Sequence, residues 1–336
     1  MEETKVKISF ILPFYGVERY IGKCLESIYQ QDIPEDQYEV ICINDCSPDD
    51  SEKVVLQYAE KHANLQLIRH DVNKKLGAAR NTGLKAARGK YVWFIDTDDY
   101  IKENCLKNII DVCEQNELEI LHFNIIDNFA NVIRRLIPTK VLTGVEEEKI
   151  AKQQQCIEIT FPWNRVYKRE FLIHNNLWFN DLYGGDVIHT ILSVNICQRI
   201  KNVDEFYYYY RVDNLNSDTK SKQTAQKVFD MNYVLAYAVD KIIPQLKQEW
   251  QQDIVESVHW RINSSMKGVL RLPKDEQIKL MNILQDNLTI RDFILRHGNT
   301  KIKIILNNLY ILRIVSLIYN SLRKIKKTTN ACISSK

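Results

Sequence analysis

The sequence predicts an α/β fold, a mostly parallel central sheet with flanking helices, followed by a C-terminal helical extension. Three observations predict it. Strand-like and helix-like stretches alternate four times within about the first hundred residues, the pattern of right-handed crossovers between parallel strands. The fourth strand-like stretch, Tyr91 to Ile95, is apolar throughout, as a strand covered on both faces is. Their C-terminal ends carry Pro13-Phe14-Tyr15, Asn44-Asp45 and Asp96-Thr97-Asp98, and this is the sheet edge at which open α/β folds bind ligands.

Val6 to Pro13 reads as the first strand, ended by its proline. Val17 to Gln31 follows as a helix, with Ile21, Leu25 and Ile28 on one face. Tyr38 to Asn44 is the second strand. Asp45-Cys46-Ser47-Pro48 then turns the chain, with Ser47 placed to cap the next helix and Pro48 at its first position. That helix runs to about Lys61. Leu65 to His70 is the third strand, Leu76 to Ala87 the helix after it, and Tyr91 to Ile95 the fourth strand.

The fourth strand runs into Asp96, Asp98 and Asp99. Three carboxylates so close repel one another, and a divalent cation would relieve them; oxygen ligands suit Mg²⁺ or Mn²⁺. The alternative is an acidic turn that caps a helix starting near Lys102. None of the ten glycines form G-x-G-x-x-G or G-x-x-x-x-G-K-[ST]. The backbone cradles of dinucleotide folds and P-loops are therefore absent, and a diphosphate held here must be neutralised by side chains and a metal.

With 45% hydrophobic and 26% charged residues, the 336-residue chain has the composition of a globular protein with a real core. Its eight cysteines include no C-x-x-C pair, which argues against zinc and suits free thiols in a reducing cytosol. The first residues have no signal-peptide form, so a cytoplasmic location is expected. The net charge of +3 is uneven: residues 301–336 hold eight basic residues and no acidic one, leaving the rest mildly acidic. A nucleic-acid binder would carry basic charge across its main domain, so no nucleic-acid partner is expected.

The ordered set I-L-P-F-Y-x-V-E-x-Y-I, I-N-D-C-S-P-D, A-A-R-N-T-G and F-I-D-T-D-D resembles the family 2 glycosyltransferases with the Rossmann-like GT-A fold, over residues 5 to about 211. The resemblance implies a nucleotide-sugar donor at these strand ends. Pro13, Tyr15 and Glu18 would line the nucleoside pocket, and Asp45 would accept a hydrogen bond from a uracil ring. Arg80 would lie near the nucleotide or diphosphate. Asp96 would contact ribose or metal, Asp98 would ligate a metal bridging the phosphates, and Thr97 lies between them. Each has a plainer alternative: Arg80 pairing with a carboxylate, Tyr15 packing in its loop, Asp45 capping the next helix. The chain departs from the family with Asn44 for an Asp, Cys46 for a Gly, and Lys74-Lys75 where Gly is common.

Leu118 to Ile126 reads as a further strand, with Val132 to Ile137 as a hairpin edge, and residues 139–155 as a loop with a short helix over the acceptor side. Trp163 to Arg169 is similar to the family's N-K-L-Y-R segment. Phe179 to Val187 resembles its F-x-E-x-x-x-x-E-D-V segment, which maps the catalytic base onto Asp186 with Gly185 in place of the usual Glu. The alternative for Asp186 is a helix N-cap. His189, one turn on, could be a metal ligand, but a lone histidine on a helix more often packs. Val203 to Val212 resembles the family's Y-Y-Y-R ending, with Arg211 a candidate diphosphate contact.

These readings divide the chain into a catalytic domain (1–217), a helical extension (218–300) and a basic amphipathic tail (301–336). Between Ile304 and Ile325 the polar residues fall in one narrow stripe, and Arg313 in mid-run disfavours a membrane span. A helix lying on an anionic membrane surface fits better; the alternative is packing on the main domain or on a second copy in a homo-oligomer. The expected activity is inverting, metal-dependent transfer of a sugar from a UDP-sugar to a hydroxyl of a glycan or lipid-linked glycan. The alternatives are a donor-binding scaffold without turnover and a sugar-phosphate nucleotidyltransferase.

Overall fold

The computed structural model describes residues 5–127, 129, 132–133, 137–153, 161–180, 184–214, 224–304 and 306. The chain divides into two compact units, Met1–Ser221 and Lys222–Lys336.

The first unit is built on one sheet. Strands β1 (Ile8–Phe14), β2 (Tyr38–Asn44), β3 (Leu65–Arg69) and β4 (Tyr91–Phe94) alternate with helices α1 (Glu18–Tyr29), α2 (Ser51–Ala59) and α3 (Lys75–Ala86). These four strands stand in the order β3-β2-β1-β4 and are all parallel. Every residue of β1, β2 and β4 is buried, including Ser9 and Glu39, whose side chains bond each other at 2.6 Å.

Beyond β4 the sheet becomes mixed. After a short strand β5 (Tyr100–Ile101) and helix α4 (Leu106–Gln115) come β6 (Ile120–Asp127), β7 (Val132–Ile133), β8 (Val141–Leu142) and α5 (Gly144–Gln153). The hairpin edge appears as β7 antiparallel to β6. Strand β9 (Arg165–Lys168) inserts antiparallel between β4 and β6, followed by α6 (Arg169–His174) and α7 (Gly185–Ile196). Strand β10 (Ile200–Tyr210) runs parallel to β6 and closes antiparallel on β5.

No helix starts near Lys102. β5 occupies that position, because Ile101 is buried and takes a place in the sheet beside β10. Nor does Ser47 cap α2. Asp50 holds the cap position and the helix begins at Ser51, so Pro48 lies outside it. The tyrosines of β10 do not simply alternate faces: register shifts between Val203 and Tyr208 leave both Tyr207 and Tyr208 buried.

The second unit is helical: α8 (Ala225–Tyr237), α9 (Gln248–Lys267), α10 (Lys274–Asp286) and α11 (Leu288–His297). Val228, Val234, Leu235, Ile254 and Val258 are buried, consistent with a packing role for this region. Among the described residues no helix is long and apolar enough to cross a membrane. The expected amphipathic tail lies, from residue 307 onward, outside the described residues.

Candidate active site

The sequence motifs meet at the C-terminal ends of β1, β2 and β4. The first contribution is a clamp between two loops. Ser47 Oγ accepts from the Gly16 N–H at 2.8 Å, Ser51 Oγ from Val17 at 3.0 Å, and Asp49 Oδ2 from Glu18 at 3.0 Å. The D-C-S-P-D-D-S stretch thus satisfies the free N–H groups at the start of α1, a task that α1 leaves unmet by any local cap. Asn44 closes the same loop, accepting from the Ser47 N–H at 2.7 Å and donating to Glu52. The amide at position 44 does what a carboxylate could not, since only an amide can donate to Glu52. Cys46 adopts φ 63°, the left-handed region that suits glycine.

A-A-R-N-T-G lies on α3, and its Arg80 and Asn81 reach across to other elements. Arg80 is fully buried; its Nη2 donates to Asp96 Oδ1 at 2.6 Å and its Nη1 to Asp186 Oδ1 at 2.5 Å. Asn81 pins residue 179 from both sides, donating to the Phe179 carbonyl at 2.8 Å and accepting from the Phe179 N–H at 2.9 Å. A Cβ on Gly77 would sit 2.5 Å from the Asn180 carbonyl oxygen, and one on Gly185 would sit 2.2 Å from the same atom. The starts of α3 and α7 therefore converge on one backbone segment, and only glycine permits it. That convergence brings Arg80 to Asp186, and it explains why position 185 has no room for a glutamate.

Asp186 is not the N-cap of α7: Gly184, at φ 77°, holds that position, and Asp186 lies in the first turn. His189 is not placed as a metal ligand. It is buried, its ring stacks on Phe179 at 3.9 Å, and Phe94 and Tyr167 meet it edge-on. Burial, with the nearby Arg80 and Arg165 cations, pushes its pKa down to about 3, so it packs as a neutral ring. Of the 179–187 segment, Asp181, Leu182 and Tyr183 lie outside the described residues.

The three aspartates after β4 divide by role. Asp99 is buried with both oxygens taken, Oδ2 by the Tyr208 hydroxyl at 2.7 Å and Oδ1 by the Arg211 N–H at 2.7 Å. It ties this loop to the end of β10. Asp98 is half-buried; Asn214 Nδ2 donates to its Oδ2 at 2.8 Å, and Arg211 Nε donates to its carbonyl at 2.8 Å. The Asp96 side chain has, among the described residues, the Arg80 bond alone, while its N–H donates to the Tyr208 hydroxyl at 3.2 Å. Burial pushes Asp96 up to about 6 against the pull of Arg80, with the charges of Asp98 and Asp186 adding to the rise. Thr97 is buried and donates to the Pro13 carbonyl at 3.1 Å, fastening the loop to β1. Arg211 lies over the rings of Tyr20 and Tyr100, at 5.1 and 5.7 Å.

At the end of β2, Asp45 is buried and its Oδ1 takes two bonds, from His70 Nδ1 at 2.7 Å and the Lys74 N–H at 2.8 Å. Tyr15 is 52% exposed and Glu18 is exposed, both at the rim. One regularity joins these residues. Asp45, Asp96 and Asp186 each have Oδ1 anchored and Oδ2 without a partner among the described residues; Asp98 has the reverse. None of these second oxygens is sealed in the interior. Four carboxylates are oriented by the protein and left with an oxygen to spend on something else.

Among the described residues no three His, Cys, Asp or Glu side chains converge as a metal cluster. Magnesium and manganese sites that act on nucleotides need fewer protein ligands, one or two carboxylates with phosphate oxygens and water completing the shell. Asp96 and Asp98 offer a spare hard oxygen each, and a divalent charge would offset both the burial that raises Asp96 and the Asp98 charge that adds to it. The donor set fits such an ion.

Sequence reasoning missed His70, Asn81, Tyr208 and Asn214. His70 carried a usable signal, since it is the polar residue that ends the third strand. The others touch their partners only across long chain separations.

Comparisons with known proteins place the chain by family and fold. The sequence model described as Glycosyl transferase family 2 matches residues 9–174, and that segment is a domain of this family. EpsJ of Bacillus subtilis, described as an uncharacterized glycosyltransferase, is 33% identical over 220 residues, covering 63% of each chain. The poly(ribitol-phosphate) β-N-acetylglucosaminyltransferase TarS of Staphylococcus aureus is 25% identical over 84% of this chain and 49% of its own length. The structure of TarS residues 1–349 with UDP-GlcNAc superimposes with a TM-score of 0.70 at 21% identity, covering 92% of this chain and 88% of that one. This likeness establishes the GT-A fold. The mannosyltransferase PcManGT of Pyrobaculum calidifontis, solved with GDP-Man and Mn²⁺, reaches 0.52 at 15% identity over 92% of this chain and 87% of its own. The chain thus spans about half to two-thirds of the length of the curated relatives EpsJ and TarS.

Proposed function

We propose that this protein is an inverting glycosyltransferase that moves a sugar from a UDP-sugar to a hydroxyl of a glycan or polyol-phosphate polymer, free or lipid-linked. The observation that carries the reading is the Arg80 bridge. One buried guanidinium holds Asp96, beside the expected diphosphate, and Asp186, the expected base. A donor and an acceptor meeting there would lie between the two carboxylates.

Asp186 Oδ2 takes the proton of the acceptor hydroxyl. The hydroxyl oxygen attacks the anomeric carbon from the face opposite the nucleotide, and the bond to the diphosphate oxygen breaks, which inverts the anomeric configuration. Arg80 keeps Asp186 oriented and charge-balanced throughout. Asp96 and Asp98 would hold Mn²⁺ or Mg²⁺, which when bound supplies Lewis-acid stabilisation to the leaving diphosphate. Asp45 Oδ2 would accept from the uracil ring N–H, with Tyr15 stacking at the rim and Pro13 and Glu18 beside it. UDP is favoured because a relative of the same fold is known with UDP-GlcNAc. Arg211, next to Asp98, adds positive charge on the diphosphate side. The basic segment 301–336 supports a peripheral location on a cytoplasmic membrane face, and vesicle co-sedimentation tests it.

Thermal shift with UDP-, GDP- and dTDP-sugars, with and without Mn²⁺, tests donor choice; stabilisation by UDP-sugars is expected. Asp186→Asn should retain that stabilisation and lose transfer by about 10²–10⁴-fold. A variant that still turns over at the wild-type rate would remove Asp186 from the reaction.

A further inference from the structure

We infer that His70 is a positioning residue for nucleobase selection, acting through Asp45; the inference rests on the donor reading above. His70 sits just past the end of β3, buried, and spans two partners. Its Nδ1 lies 2.7 Å from Asp45 Oδ1, and its Nε2 lies 2.9 Å from Thr82 Oγ1. The pairing is internal, with both side chains at most 5% exposed.

The donor count fixes the direction of the first bond. Asp45 Oδ1 already accepts from the Lys74 N–H at 2.8 Å. A carboxylate oxygen only accepts, so Nδ1 donates to it. Thr82 has one hydroxyl hydrogen and two candidate acceptors, His70 Nε2 and the Ala78 carbonyl at 3.0 Å. Whichever it serves, Nδ1–H still points at Asp45.

The consequence falls on Oδ2. Two N–H donors occupy Oδ1 of the Asp45 carboxylate and fix its plane. Its free oxygen therefore presents a lone pair and no proton. Such an edge accepts from a ring N–H, as uracil offers, and opposes a ring nitrogen that is itself an acceptor, as in cytosine. Without His70, Asp45 would keep a single backbone anchor and could turn, and the preference would weaken.

The test compares His70→Asn with His70→Gln. Asn places its amide donor near the Nδ1 position and can still reach Asp45; Gln places its donor near Nε2 and cannot. A side chain that merely fills space would respond alike to both. Calorimetry with UDP and CDP is the first readout. The wild type and His70→Asn should prefer UDP and agree within about threefold. His70→Gln should lose UDP affinity by about tenfold or more, the worth of a hydrogen bond to a charged group, and lose most of its preference over CDP. With a UDP-sugar, the loss should appear in KM rather than in kcat. Equal affinities for the two variants, or a loss confined to kcat, would overturn the role of His70. A wild-type protein that binds UDP no better than CDP would instead remove the donor reading on which the inference stands.

Discussion

The two ends of the proposed site are built on the same device with different donors. At the nucleobase end, Asp45 is anchored by His70 and a backbone N–H, all drawn from consecutive strand–helix units. At the reaction end, Asp96 and Asp186 are anchored by one arginine that comes from a helix 106 residues away from Asp186 in the chain. An arginine is charged at every pH at which the protein folds, so it can balance two carboxylates permanently and needs no neighbour's proton. The difference teaches what each end requires. Recognition needs one carboxylate held in a fixed plane; transfer needs several anions held close together without mutual expulsion.

The largest effect expected from breaking this comparison is Arg80→Met. It strands two carboxylates beside a buried apolar side chain, and removing one partner of a buried ion pair costs about 3–5 kcal/mol. Denaturant unfolding should show a loss of that size. A loss below about 1 kcal/mol would mean the bridge is incidental.

Next comes a contrast between neighbours. Asp98→Asn should leave the unfolding transition in place and reduce transfer by about 10²-fold, the scale for removing one group that stabilises developing charge. Asp99→Asn should do the opposite: its new amide faces two donors, the Tyr208 hydroxyl and the Arg211 N–H, and should cost about 1–3 kcal/mol of stability. Steady-state kinetics beside thermal unfolding separates the two. Equal profiles would erase the division between a spare oxygen and a fully tied one.

The smallest effect concerns the loop clamp. Burial alone would raise the Asp49 pKa, but bonds from the Ser51 hydroxyl, the Glu18 N–H and Ser47 hold it down near about 2. Its unfolded value is about 3.9. A depressed carboxylate contributes stability above the unfolded value and loses it as pH falls toward the folded one. The stability gap between wild type and Asp49→Ala should therefore be constant above about pH 5 and close between about pH 4 and 2. A gap that stays constant down to pH 2 would show that the clamp does not depend on the charge.

The parallel half of the sheet was legible because its signals are local: largely apolar runs, a helix between each pair, carboxylates at the exits. Asp45, Asp96, Asp98 and Asp186 were readable as a set because their motifs are short and ordered. The bridge between them was not. Arg80 offered two readings, a ligand contact or an ion pair, and the approach of α3 and α7 over the Asn180 carbonyl, which brings it to Asp186, is not visible in the local sequence. Ser47 misled for a similar reason. A serine before a proline looks like a cap for its own helix, yet it caps α1 from across the site. Strand β9 and the Tyr208–Asp99 bond depend on pairings that no periodicity announces.

The most direct test is a structure of the protein with UDP and Mn²⁺. The account predicts the uracil ring N–H on Asp45 Oδ2 and the diphosphate beside Asp98, with Arg80 still joining Asp96 and Asp186. A nucleotide seated away from Asp45 and Asp98, or an Arg80 that leaves both carboxylates, would contradict it.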